Sequence, residues 1–146
     1  IINKIESINN FYIKFLGYKP NIAMTGLNPH CETFDGKNIE KTEILPAIEI
    51  LRKKKIKVLG PFSADTIFLK ENRKKFDVIV GMYHDQVLAP MKTIFGFNAI
   101  NITIGLPFVR ITPDHGPNFK MYGLNKSNPD SLIQAINFLN NYVIKA

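Results

Sequence analysis

The sequence predicts an α/β fold, a three-layer α/β/α arrangement built on a largely parallel sheet. Three observations lead there. Segments with apolar residues at helical spacing alternate with short apolar runs, the pattern of strand–helix–strand crossovers. One run, Asp77-Val78-Ile79-Val80-Gly81-Met82, is apolar almost throughout, as a strand covered on both faces must be. The chain has 146 residues, 45% hydrophobic and 21% charged, which suits a single domain over 1–146 with a real core and excludes a disordered or fibrous class.

The elements follow in order. Ile2, Ile5, Tyr12, Phe15 and Leu16 predict a helix over 2–16, stopped by Gly17 and Pro20. Ile22-Ala23-Met24-Thr25 is a short strand running into Gly26-Leu27-Asn28-Pro29-His30, and the polar stretch 31–41 is a loop. Ile44, Ala47, Ile48 and Leu51 fall at i, i+3, i+4, i+7 and predict a helix over 43–54, with Pro46 tolerated in its first turn. Lys57-Val58-Leu59 is a strand that Gly60-Pro61 should end. A helix is expected from Ala64 to Asn72, and a helical segment near 87–95. Strands are expected at Ala99–Ile104 and at Phe108–Ile111. Residues 112–126 form a long Gly/Pro/Asn-rich loop, a kind that often carries function. The last helix should start with Asn128 as cap and Pro129 at its first position, burying Leu132, Ala135, Ile136, Leu139 and Val143.

The net charge is +7, which points to anionic partners. Its dense runs, Arg52 to Lys57 and Lys70 to Lys75, each follow an amphipathic segment and read as solvated helix ends, where cations complement the dipole. Neither interleaves aromatics, so no nucleic-acid surface is expected. No apolar run reaches a membrane span, so no membrane partner is expected. The single cysteine, Cys31, fits a reducing, cytoplasmic compartment. The chain opens at Ile1, which fits a piece of something longer.

The three histidines share a placement. His30 and His84 lie just beyond strand ends, and His115 follows the 108–111 strand, on the edge where open α/β sheets bind ligands. His84 adjoins Asp85, and an imidazole with a carboxylate suits a divalent ion such as zinc or acid–base work. His30 would be a second imidazole ligand. Two imidazoles make an incomplete site, so a further ligand must come from a carboxylate or from outside this chain. Lys92, Asn101 and Arg110 would suit a phosphate or carboxylate if they converge on one edge. A Cys31 thiol with a His30 base is the weaker alternative, because adjacent residues rarely face each other productively. No Walker A or G-x-G-x-x-G pattern occurs, which leaves Asp114-His115-Gly116-Pro117 as the best place for a nucleotide.

Five blocks occur in order: Gly26–His30, Gly60–Phe68, Met82–Gln86, Asn101–Arg110 and Asp114–Gly116. Together they resemble the 4-hydroxythreonine-4-phosphate dehydrogenase family of pyridoxal phosphate biosynthesis, over essentially the whole chain. The resemblance implies a lobe like those of isocitrate and isopropylmalate dehydrogenases. It implies a homodimer that oxidises 4-phosphohydroxy-L-threonine with NAD or NADP and releases carbon dioxide, leaving 3-amino-2-oxopropyl phosphate. It implies a divalent metal (zinc, magnesium or cobalt) held by three histidines across the dimer, with His30 and His84 matching two of them. Lys92, Asn101 and Arg110 match the substrate-binding residues. Lys92 and Asp85 become candidates for catalytic proton handling, and Asp114, His115 and Gly116 for cofactor contact. Such an ion would lower the pKa of the substrate hydroxyl and then polarise the ketone.

The chain departs from the family in places. Cys31-Glu32-Thr33-Phe34 replaces a small residue and Gly-Glu, Val87 replaces a Gly, and Pro117-Asn118 replaces Thr-Ala. The family's N-terminal half, with the third histidine and a substrate-binding His-Thr pair, is expected to be missing. Two other readings compete: a dehydrogenase for another phosphorylated hydroxy acid, such as a sugar-acid phosphate, and a non-catalytic remnant that binds a metal or nucleotide or dimerises.

Overall fold

A computed structural model describes residues 1–31, 38–117 and 119–144. Within the predicted 31–41 loop, residues 32–37 lie outside the described residues, and with them Glu32, Thr33 and Phe34 of the altered block; Asn118 does too. The chain divides into two compact units, Ile1–Pro90 and Met91–Ala146, each with its own sheet.

In the first unit, β1 (Ile22–Thr25), β2 (Val58–Phe62) and β3 (Val78–Val80) form a parallel sheet in the order β2-β1-β3. Parallel neighbours need crossovers. Helix α1 (Ile2–Phe11) precedes the sheet, α2 (Leu45–Lys53) joins β1 to β2, and the short α3 (Lys70–Arg73) lies between β2 and β3. Helix α1 continues through a wider turn, Tyr12–Leu16, and stops where Gly17 adopts φ +81° and donates to the Tyr12 carbonyl at 3.0 Å. The predicted stripe of the second helix is the buried one: Ile44, Ala47, Ile48 and Leu51 are all covered. They close over Ile5, Ile22, Met24, Ile56 and Val58. The Arg52–Lys57 run is a solvated helix end. Arg52 Nε donates to the Val58 carbonyl at 3.0 Å, and Lys54 pairs with Glu6 at 2.6 Å.

Three expectations for this unit need correction. The strand buried on both faces is β1, not the 77–82 run. All four β1 residues are covered, because β1 is the central strand and helix residues such as Ile5, Ile44, Ile48 and Leu51 pack with Ile22 and Met24, whereas β3 is a half-buried edge strand of three residues. Gly60-Pro61 does not end β2. Gly60 takes φ +139°, the Gly60–Pro61 peptide is cis, and the strand bulges past Met24 to pair Phe62 with Thr25. The helix expected over 64–72 shrinks to α3. The chain from Ser63 to Leu69 makes successive turns, Asn72 Nδ2 bonds the Thr66 carbonyl at 3.0 Å, and Leu69 is extended (ψ 142°).

Helix α4 (His84–Phe95) begins three residues earlier than predicted. It contains Pro90, which has no N–H for the Gln86 carbonyl, and the division between units falls there.

In the second unit, β4 (Ile100–Thr103) and β5 (Arg110–Pro113) pair antiparallel, with Asn101 opposite Thr112 and Thr103 opposite Arg110. The second of these strands starts two residues later than expected, so Arg110 opens it rather than lying within a 108–111 strand. The period of two puts Asn101, Thr103, Arg110 and Thr112 on one face and Ile100, Ile102 and Ile111 on the other. Helix α5 (Asp130–Phe138) packs on both strands. It begins one residue later than predicted; the Asn128 side chain accepts the Asp130 N–H at 2.7 Å. Its buried row is Ser131 and Ala135, with Leu139 and Val143 half-covered, whereas the predicted Leu132 and Ile136 are exposed. Two apolar rows lie side by side on this helix, and the Ser131 hydroxyl decides which faces the strands. No helix among the described residues is long and apolar enough to cross a membrane.

Candidate functional site

The carboxyl ends of β1 and β3, neighbours in the sheet, carry the two candidate metal ligands. His30 lies in the loop leaving β1, and His84 opens α4 just after β3. Both side chains are largely solvent-exposed, at 72% and 76%. Each ring has a carboxylate at Nδ1. His30 Nδ1 is 3.4 Å from Asp65 Oδ2, and His84 Nδ1 is 2.7 Å from Asp85 Oδ1. Only the His84–Asp85 contact is a hydrogen bond; a carboxylate bonded to Nδ1 in this way leaves Nε2 to face a metal, while Asp65 stands beside the His30 ring at ion-pair distance. The β2 bulge matters here, because it delivers Ser63-Ala64-Asp65 to the β1 loop, where the Ala64 N–H bonds the Pro29 carbonyl at 3.0 Å. Among the described residues no group of three His, Cys, Asp or Glu could enclose a metal. Two imidazoles at neighbouring strand ends are a partial donor set, and its chemistry fits an ion only if the remaining ligands come from elsewhere.

Two buried side chains hold the loop that bears His30. Glu40 is 2% exposed, and its Oε1 accepts the Leu27 and Asn28 N–H groups, each at 3.0 Å. The Asn28 amide holds the Glu40 carboxyl below its ordinary value of 4.5, against the opposing effect of burial. Gln86 is 6% exposed and bonds on both ends. Its Oε1 accepts from Thr25 Oγ1 at 2.8 Å and the Met82 N–H at 2.7 Å, while Nε2 donates to the Gly26 and Leu27 carbonyls at 2.8 and 3.3 Å. The Asn28 side chain then caps the His30 N–H at 2.9 Å. The Cys31 thiol is raised above its ordinary 9.0, chiefly by burial, so it is protonated at neutral pH. With the His30 ring turned to Asp65, the thiol–imidazole alternative has no support.

The pH dependence of stability follows from Glu40. Its folded pKa is depressed, so its contribution is fully present above the unfolded value and is lost as pH falls through the lower folded value. Glu40→Gln should cost about 1–2 kcal/mol at pH 7, the scale of a charge-assisted bond. Chemical denaturation at pH 7 and below pH 4 should show the two proteins converging on acidification; a constant gap would contradict the assignment.

The second unit places the other predicted residues. Lys92 Nζ donates to the Asp114 carbonyl at 2.9 Å and lies 3.6 Å from Asp114 Oδ2. The Asp114 N–H bonds Ser131 Oγ at 2.9 Å, and Ser131 Oγ donates to the Ala99 carbonyl, so one buried hydroxyl ties the residue before β4, the 114–116 turn and α5 together. Arg110 Nη1 donates to Thr103 Oγ1 at 3.0 Å, on the face shared with Asn101. His115 and Gly116 line a cavity of about 620 Å³ with Phe119 and Tyr122, whose rings are exposed. His115 Nδ1 is 3.1 Å from the Gly116 carbonyl.

Sequence reasoning gave Asp65, Glu40, Gln86 and Ser131 no role. Asp65 and Gln86 stand in the blocks already singled out. Glu40 and Ser131 had no motif signal, because each acts on backbone groups distant in sequence.

Comparison with known proteins places the chain. The sequence profile of the family described as "Pyridoxal phosphate biosynthetic protein PdxA" matches residues 1–139. The 4-hydroxythreonine-4-phosphate dehydrogenase of Sulfurihydrogenibium sp. (strain YO3AOP1) is 47% identical over 141 residues, covering 93% of this chain and 42% of that protein. That of Bradyrhizobium diazoefficiens is 48% identical over 120 residues, covering 81% and 34%. Among solved structures, the Burkholderia phymatum 4-hydroxythreonine-4-phosphate dehydrogenase matches with a TM-score of 0.73 and 34% identity, covering 95% of this chain and 42% of that one. The Klebsiella pneumoniae structure of the same name matches at 0.72 and 32%, covering 92% and 41%. The chain thus spans about two-fifths of the length of the first of these relatives and of both solved structures, and about a third of the second relative.

Proposed function

This chain belongs to the PdxA family of pyridoxal phosphate biosynthetic proteins, and from that premise we propose that it is one lobe of a two-lobed, metal-dependent, decarboxylating dehydrogenase acting on 4-phosphohydroxy-L-threonine. The observation that carries the reading is the matched pair of imidazoles at neighbouring strand ends, each with a carboxylate at Nδ1. In this reading the remaining ligand comes from outside these residues, in a site shared between the subunits of a cytoplasmic homodimer. Zinc, cobalt or magnesium bound there would acidify the substrate hydroxyl and polarise the ketone that replaces it.

The chain's own residues do the rest. His30 and His84 would hold the ion, with Asp85 bonded to the His84 ring and Asp65 beside that of His30. That geometry favours an orienting role for Asp85 over direct proton transfer. Arg110 and Asn101, on one face of the β4–β5 pair, bind phosphate or carboxylate oxygens. Lys92, steadied by Asp114, supplies a cation and a proton donor. The turn 114–116, beside the aromatic-lined cavity, would meet the nicotinamide cofactor. The reaction balances as hydride from C3 to NAD(P)+, the hydroxyl proton to solvent, and cleavage of the C1–C2 bond of the β-keto acid, with C1 leaving as carbon dioxide and C2 taking up one proton.

The test is NAD(P)H formation from 4-phosphohydroxythreonine with a divalent metal, with and without the N-terminal portion of a relative supplied. Turnover with both portions supports the reading. A folded protein with no turnover in either case favours the remnant, and faster turnover of a sugar-acid phosphate favours the other dehydrogenase.

A further inference from the structure

The polar contacts of the Gly26-Leu27-Asn28 backbone are more than the loop's local folding requires. Four of its groups are claimed by two buried side chains: the carbonyls of Gly26 and Leu27 by Gln86, and the amides of Leu27 and Asn28 by Glu40. Glu40 stands just before α2, so it anchors the loop to the body of the first unit. Gln86 reaches further. It lies two residues after His84 on α4, and its other end binds Thr25 at the close of β1 and Met82 between β3 and His84. One amide therefore joins the exit of the strand that leads to His30 to the exit of the strand that leads to His84. Its four bonding partners are the last residue of β1, the two residues that follow it, and Met82, two residues after β3.

A primary amide suits this place because it must both donate and accept. The Gly26 and Leu27 carbonyls need a donor, and Thr25 and Met82 need an acceptor. Glutamate has the same shape but presents an anion to two carbonyls. Buried polar networks of this kind are costly when half-satisfied, so the amide's orientation is fixed.

Building on the metal reading above, we propose that Gln86 is a positioning residue that sets the spacing and relative orientation of the His30 and His84 imidazoles, and through them the affinity and geometry of the bound ion. Gln86 touches neither the metal nor substrate. It acts on the two loops, and a shift between them moves one ligand relative to the other. Loss of a group bonded directly to a metal ligand typically lowers affinity about 10- to 100-fold, and Gln86, which acts one step further out on the backbone, is expected at or below the low end of that range.

The experiment is a Co(II) titration of the protein followed by visible absorption, comparing wild type with Gln86→Glu, Thr25→Val and His84→Ala, with folding checked by circular dichroism and thermal midpoint. Gln86→Glu is expected to weaken Co(II) binding up to about tenfold and to alter the absorption band of the bound ion. Thr25→Val, which removes one of the four bonds, should give a smaller change of the same kind. A merely structural role would lower the thermal midpoint while leaving affinity and band unchanged in the folded fraction, and that result overturns the proposal. If Gln86→Glu does not fold, Thr25→Val decides: a threefold or greater loss supports the proposal, and wild-type affinity and band overturn it. His84→Ala separates the two levels. If it abolishes binding while Gln86→Glu leaves binding intact, only the positioning role fails; if it leaves binding unchanged, the metal reading fails and takes the positioning role with it.

Discussion

Gly60→Ala is expected to destabilise the first unit by about 3 kcal/mol, the upper range for forced overpacking. A Cβ at this position would lie 2.5 Å from the Met24 carbonyl oxygen, which is main chain of the central strand and cannot rotate away. The φ of +139° adds a conformational penalty that an L side chain cannot avoid. Relief requires β2 to move off β1, and that undoes the bulge pairing Phe62 with Thr25. The consequence reaches the site, because Asp65 arrives beside His30 on the segment just after this bulge. Urea denaturation should show the loss, and a variant within 0.5 kcal/mol of wild type would contradict the close approach.

Arg110→Ala should raise KM for the phosphorylated substrate about 10- to 100-fold in the complemented enzyme and change kcat far less. Hydrogen bonds to charged groups are worth about 1.5–3 kcal/mol, and an anchor remote from the reacting carbon contributes equally before and during reaction. The guanidinium is held by its bond to Thr103 across the strand pair, so its fork is set in advance. Lysine cannot reproduce that fork, and Arg110→Lys should restore less than half of the lost binding energy. Steady-state kinetics checks this; an unchanged KM would remove Arg110 from the substrate site.

Much of this architecture is legible in the sequence, for identifiable reasons. The stripe Ile44, Ala47, Ile48, Leu51 fills the whole i, i+3, i+4, i+7 pattern and is buried as read, while Leu45 and Ile50 off that row are exposed. Gly17 stops the first helix because left-handed backbone is its ordinary use. Helix α5 defeats the same method, since Leu132 and Ile136 lie one position round from Ser131 and Ala135, and a polar bond rather than hydrophobicity selects the row. Gly60-Pro61 reads as a stop because bulges follow from the register of a partner strand, which a local window does not contain. At the site, the histidines and Asp85 are visible as local motifs. Asp65, Glu40 and Gln86 act on groups 12 to 61 residues away or on another loop's imidazole, so only the folded chain shows what they hold.

The central claim is that His30 and His84 together receive a divalent ion. Calorimetric titration of zinc into wild type, His30→Ala and His84→Ala tests it most directly. The account predicts weak one-to-one binding by wild type, as befits two ligands of a larger set, and its loss in either variant while both remain folded. Binding of unchanged affinity in both variants would contradict it.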